Sequence, residues 1–101
     1  MNLEFSVSKT SLTAKISGEL DHHAAKELRE KIDLKLTTGV FNTLIFDFTN
    51  LDFMDSSGIA LVMGRVKNIE AVSGVVKIKA NDNKIIKILK MAGIENYAEF
   101  I

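Results

Sequence analysis

The sequence predicts one α/β domain over residues 1–101, a mixed β-sheet covered by α-helices in the order β-β-α-β-α-β-α. Three observations predict it. Two segments with period-two alternation open the chain, three segments with apolar residues at helical spacing follow, and short apolar runs separate them. A chain of 101 residues is long enough to enclose one hydrophobic core and too short for two.

The elements follow in order. Leu3-Glu4-Phe5-Ser6-Val7 and Leu12-Thr13-Ala14-Lys15-Ile16 alternate apolar and polar residues, the mark of half-buried strands, and the short polar stretch Lys9-Thr10-Ser11 joins them as an antiparallel hairpin. Ala25, Leu28, Ile32 and Leu36 then recur at helical spacing behind Asp21, a residue type that caps helix N-termini. Lys26 with Glu30, Glu27 with Lys31 and Arg29 with Asp33 stand four apart and suit the solvated face of that helix.

Gly39 breaks the pattern. Leu44-Ile45-Phe46-Asp47-Phe48 is a nearly continuous apolar run and predicts a central strand covered on both faces. After an expected linker from Thr49 to Met54, residues Ile59, Val62, Met63, Val66 and Ile69 mark the buried stripe of a second helix. Val75-Val76-Lys77-Ile78-Lys79 predicts a strand. Asp82 caps a third helix with Ile85, Ile88, Leu89 and Ala92 inward, and Gly93 supplies the left-handed turn that ends it. Ala98-Glu99-Phe100-Ile101 suits an edge strand.

Composition excludes several classes of function. Hydrophobic residues make up 47% and charged residues 26%, with no 20-residue apolar run, so the expectation is a water-soluble globular domain. Thirteen basic and thirteen acidic side chains cancel, which removes any overall field favouring nucleic acid or an anionic membrane. Without cysteine there is neither a disulfide framework nor a thiolate metal site, and the first residues lack the basic-then-apolar pattern of an export signal. A cytoplasmic location is expected.

The segment Phe53-Met54-Asp55-Ser56-Ser57-Gly58 lies between a strand and the second helix, where functional loops of α/β sheets gather. One reading is capping alone, with Asp55 or Ser56 accepting from the first free amides of the helix. Capping leaves Gly58 unexplained: a glycine in the first turn weakens the helix but lets another backbone, such as an incoming protein loop, come close. At about 100° per residue, Ser57, Leu61, Gly64, Arg65 and Asn68 fall opposite the expected buried stripe. That face is small, flat and carries one charge, which suits a docking surface. The alternatives are close packing at Gly64 and chance exposure of Leu61.

Gly18-Glu19-Leu20-Asp21-His22-His23, Phe53-Met54-Asp55-Ser56-Ser57-Gly58 and Gly64-Arg65-Val66-Lys67 resemble the matching segments of STAS-domain anti-sigma factor antagonists, the sporulation branch in particular. The resemblance spans most of the chain. It implies a STAS fold and a protein-binding switch rather than an enzyme, with no catalytic residue and no cofactor. The first serine of the pair is the phosphorylation site in that family, which maps onto Ser56. Asp21, His22, Asp55, Ser57, Gly58, Leu61, Gly64, Arg65 and Asn68 are the implied contacts with the partner. That partner is an anti-sigma factor that is also the serine kinase, a serine phosphatase acts on the phosphorylated form, and neither nucleic acid nor membrane is bound directly. The sporulation proteins continue into a further helix where this sequence stops at Ile101, so a general-stress antagonist is a second option within the family. From another class, the alternative is a nucleotide-binding or sensory STAS module that regulates a larger assembly.

Other signals carry less. His22 and His23 are adjacent, point about 100° apart on a helix and have no third ligand nearby, so no metal site is expected. Asp47 sits where receiver domains carry a phospho-acceptor, but no acidic pair follows the first strand to hold magnesium. The Ser56-Ser57 pair lacks the nucleophile-elbow pattern of serine hydrolases, and no glycine-rich loop with lysine is present to cradle a nucleotide.

Overall fold

A computed structural model describes residues 2–101. Strands β1 (Asn2–Ser8) and β2 (Ser11–Leu20), helix α1 (His22–Leu36), strand β3 (Thr43–Met54), helix α2 (Ser56–Glu70), strand β4 (Val75–Lys79), helix α3 (Asn83–Met91) and the short strand β5 (Glu99–Phe100) follow one another, with one 3₁₀ turn at Ile94–Asn96. The five strands lie in sequence order. β1 pairs with β2 antiparallel through a tight turn at Lys9, and every later pairing is parallel. Each parallel step needs a crossover, and right-handed crossovers taken in one direction across a sheet put all their helices on the same face. The molecule is therefore two layers deep.

Burial follows this arrangement. Leu12, Ala14 and Ile16 of β2, Leu44, Phe46 and Phe48 of β3, and Val76 and Ile78 of β4 are buried under Leu28 and Ile32 of α1, Val62, Val66 and Ile69 of α2, and Ile85 and Leu89 of α3. The alternate residues Thr13, Lys15, Ile45, Asp47 and Lys77 are only half-buried. The expectation that β3 is covered on both faces is thus corrected: Ile45 makes the run look continuous, yet it lies on the open face. α1 buries Ala24 more deeply than Ala25, which is half-buried. At the end of α3, Gly93 takes φ +80°, the left-handed turn expected there.

The supposed linker from Thr49 to Met54 is strand, the continuation of β3 beside Ser17–Leu20. Two register shifts explain why it does not look like one. Lys15↔Asp47 is followed by Ser17↔Asn50, and Gly18↔Leu51 by Glu19↔Phe53, so β3 carries one extra residue at each step. Each extra residue turns the next side chain over. The buried positions of β3 are accordingly Leu44, Phe46, Phe48, Leu51 and Met54, with spacing that changes from two to three. At the first shift the Thr49 amide donates to Asp47 Oδ1 at 3.0 Å and the Thr49 hydroxyl donates to the same oxygen at 2.6 Å. Asp47 is therefore a strand-shaping residue. Burial pushes its carboxyl pKa up, but the Thr49 bonds and the charges of Lys15 and Lys79 outweigh burial and hold it below its ordinary value.

Candidate functional site

β2 and β3 end side by side, with Leu20 paired to Met54, and each is followed by an aspartate that caps a helix. Asp21 Oδ1 accepts from the Ala24 amide at 2.9 Å, and Asp55 Oδ1 accepts from the Ser57 amide at 2.8 Å. The Asp55 amide donates to the Leu20 carbonyl at 3.4 Å, which ties the two caps together. The Ala24 bond is the main cause of a lowered Asp21 pKa; burial opposes it, and the charge of His23 adds to it. One edge of the molecule thus presents Asp21 with His22 and, beside them, Asp55 with Ser56.

Ser56 is the first residue of α2 and is exposed, whereas Ser57 is half-buried. Beside Ser56 lies a hollow of about 430 Å³ whose walls include Met54, Ile59, Ile88 and Met91. Met91 is 78% exposed, so apolar surface adjoins the serine on this edge. Sequence reasoning did not include Ile88 and Met91 in the site. Their contribution depends on how α3 crosses the sheet, for which the sequence holds no local signal.

Gly58 needs its missing side chain for a reason other than an incoming loop. It is buried, and a Cβ there would lie 2.5 Å from Met54 Cγ and 3.1 Å from Leu20 Cδ2, so the glycine lets α2 pack down on the ends of β2 and β3. The outer face drawn from Ser57, Leu61, Gly64, Arg65 and Asn68 is also corrected. Leu61 is 3% exposed and Arg65 6%, because this side of α2 turns toward α1. The buried stripe is Gly58, Leu61, Val62, Arg65, Val66 and Ile69, rotated from the expected one, with Ile59 and Met63 only half-buried. Arg65 misled the reading because it is charged: its counter-charge, Asp33, is on another helix. Arg65 Nε lies 2.9 Å from Asp33 Oδ1, but neither atom makes a directed hydrogen bond, so the contact is an ion pair of poor angle. Asp33 is therefore engaged with Arg65 and not with Arg29, and of the three pairs expected along α1 only Glu27 with Lys31 closes, at 2.8 Å.

Between α1 and α2 the ion pair divides the surface into two grooves. The upper one, about 410 Å³, is lined by His22, Gly64 and Arg65 among others. Gly64 is no close-packing point: a Cβ there would meet nothing within 4 Å. Asn68 is exposed and borders the lower groove, about 400 Å³, with Ile69 and Val72. Of the nine residues expected to face a partner, Asp21, His22, Asp55 and Ser57 therefore surround the two caps, Gly64 opens into the upper groove, Asn68 lies apart, and Gly58, Leu61 and Arg65 are interior. His22 and His23 are both exposed, with ring centroids 5.9 Å apart.

This two-layer fold, with paired aspartate caps and a serine exposed at the second, defines a STAS domain, and residues 2–100 match that family: the chain belongs to it. Among curated proteins it is 35% identical over 88 residues to the anti-sigma F factor antagonist of Lysinibacillus sphaericus, covering 87% of this chain and 75% of the relative. Among solved structures it is similar to the anti-sigma factor antagonist SpoIIAA in its unphosphorylated form, at 31% identity and TM-score 0.79, covering 99% of this chain and 87% of that one. The phosphorylated form of SpoIIAA from Bacillus matches at 32% identity and TM-score 0.77, covering 99% and 91%. No helix among the described residues is long and apolar enough to cross a membrane.

Proposed function

We propose that this chain is an anti-sigma factor antagonist whose unphosphorylated form binds an anti-sigma factor kinase, so that a sigma factor is released, and that phosphorylation of Ser56 ends the binding. The observation that carries the proposal is the place of Ser56: exposed, first in α2, directly after the Asp55 cap and beside the apolar surface of Ile88 and Met91. A relative at 32% identity exists in a phosphorylated form, which supports control of this fold by phosphorylation. The chemistry agrees with a switch. A phosphate adds about −1.5 to −2 charges, and the free amides at a helix N-terminus stabilise such charge, so the fold tolerates it. A partner packed over the same edge must bury the phosphate beside Asp55 and apolar side chains, so the penalty falls on the complex. A loss of ~2.7 kcal/mol reduces affinity about a hundredfold.

In this reading Asp21 and His22 contribute to the contact from the neighbouring cap, with Asp55 and Ser57 around the serine. A serine phosphatase restores the binding form, in the cytoplasm and without contact to nucleic acid or membrane. Incubation with an anti-sigma factor kinase and ATP, followed by peptide mass spectrometry, tests the site. Phosphate on Ser56 is expected, and phosphate on Ser57 with Ser56 unmodified overturns the assignment. The Ser56-phosphorylated protein is expected to bind that kinase about a hundredfold more weakly; unchanged affinity removes the switch.

A further inference from the structure

The upper groove between α1 and α2 has a charge arrangement that the switch does not use. Lys26 and Arg29 line it from α1 and Arg65 from α2, together with His22, and there is no carboxylate in its walls. Among the described residues neither Lys26 nor Arg29 makes an ion pair. Asp33, four residues beyond Arg29, belongs to the wall of the lower groove and is paired with Arg65. The Arg65 side chain is 7% exposed, and its Nη1 has no hydrogen-bond partner. Burial lowers the Arg65 pKa and so does the charge of Arg29, while Asp33 opposes them. A buried guanidinium with an unmet N–H, close to a second cation, is unfavourable in the empty protein. A dianion in the groove relieves the repulsion between the cations. There is room for one, because Ala25, Ala60 and Gly64 leave the groove open and a Cβ on Gly64 would meet nothing within 4 Å.

We propose that this groove is an oxyanion site that takes a phosphate group, free or as the ester of a small molecule, held by Lys26, Arg29 and Arg65 with the Ser57 hydroxyl. The site is independent of Ser56, which is not among its walls. The test is a proton–nitrogen NMR titration of the full chain at low salt with inorganic phosphate, glycerol phosphate and acetate. Both phosphates are expected to shift the signals of Arg29, Gly64 and Arg65, with weaker binding as salt rises. Tighter binding of glycerol phosphate identifies an ester as the ligand, and tighter binding of inorganic phosphate identifies the free ion. Arg29→Gln should weaken binding about tenfold, the usual scale for losing one charge-assisted bond. Gly64→Leu should fill the groove and abolish binding with no loss of melting temperature. Ser56→Ala should bind phosphate like wild type, which separates this site from the switch. The proposal is overturned if phosphate shifts none of the three signals, or if Arg29→Gln and Gly64→Leu bind as wild type does. An equal response to acetate also overturns it and marks the groove as a landing place for a partner's carboxylates instead.

Discussion

At the scale of single residues, two glycines in one helix make opposite predictions. Gly58 is buried with Met54 Cγ 2.5 Å from where a Cβ would sit, and Gly64 has open space above it. Forcing a methyl into a packed site costs ~1–3 kcal/mol, from which a smaller gain in helix propensity is subtracted, so Gly58→Ala should destabilise by about 1 kcal/mol. Gly64→Ala gains the propensity without the clash and should stabilise by ~0.5–1 kcal/mol. Urea unfolding of both variants decides the matter; equal midpoints would show that the packing at Gly58 is not tight. Asp21 gives a pH-dependent prediction. Its carboxyl is held below the ordinary 3.8, so the stability contributed by its charge is fully present above pH 3.8 and is lost as pH falls through the lower folded value. Asparagine is as good a cap without the charge. Wild type should therefore melt above Asp21→Asn at pH 6, with the gap closing below pH 3.8, and a gap independent of pH would count against a charged cap.

At the scale of elements, α1 and α2 are joined by one ion pair whose two members are unequally buried, Arg65 at 7% side-chain exposure and Asp33 at 41%. Removing the acid strands a buried cation, so Asp33→Ala should cost about 1–2 kcal/mol, toward the lower end because solvent already screens Asp33. Arg65→Met introduced on top of Asp33→Ala should recover part of that loss, since an apolar chain of similar length needs no counter-charge. Thermal unfolding of the single and double variants checks this; a double variant less stable than Asp33→Ala alone contradicts it.

These same elements show what was legible in the sequence. Residues that act through their own backbone neighbourhood were readable: the caps Asp21, Asp55 and Asp82, the left-handed Gly93 and the alternation of β2 all appear as expected. Residues that act across space were not. Arg65 reads as surface until Asp33 is placed beside it, and the far half of β3 reads as linker because its two extra residues change the apolar period from two to three. The Ser56 position was legible from its motif. The surface around it was not, since Ile88 and Met91 come from a helix two elements further along.

Across the whole molecule, layering sets where stability lies. β2 and β3 occupy the middle of the sheet, carry Leu12, Ile16, Leu44, Phe46 and Phe48 with no exposure, and are shielded by α1 and α2. β1 is paired on one side only, and β5 has two residues. Amide hydrogen exchange should therefore be slowest at the paired amides of Leu12–Ile16 and Leu44–Phe48, approaching the rate set by global unfolding, and fastest among the edge strands at β5. Equal protection of β5 and β3 would show that the sheet opens only as a unit.

The length of β3 has a consequence for the encounter between this chain and an enzyme. β4 stops level with Asp47, whereas β3 continues seven residues to Met54 with only β2 beside it. This extension, bent by its two extra residues, ends just before Ser56, past the level where the sheet is four strands wide. The serine is exposed at the end of this two-stranded extension, beside α3 and the Asp21 cap, and a catalytic cleft can reach it without any strand being peeled away. For a kinase acting there, the modification rate is then limited by collision and chemistry, with no waiting time for the substrate to open. A signal that must be read promptly is served by a residue already out in the water.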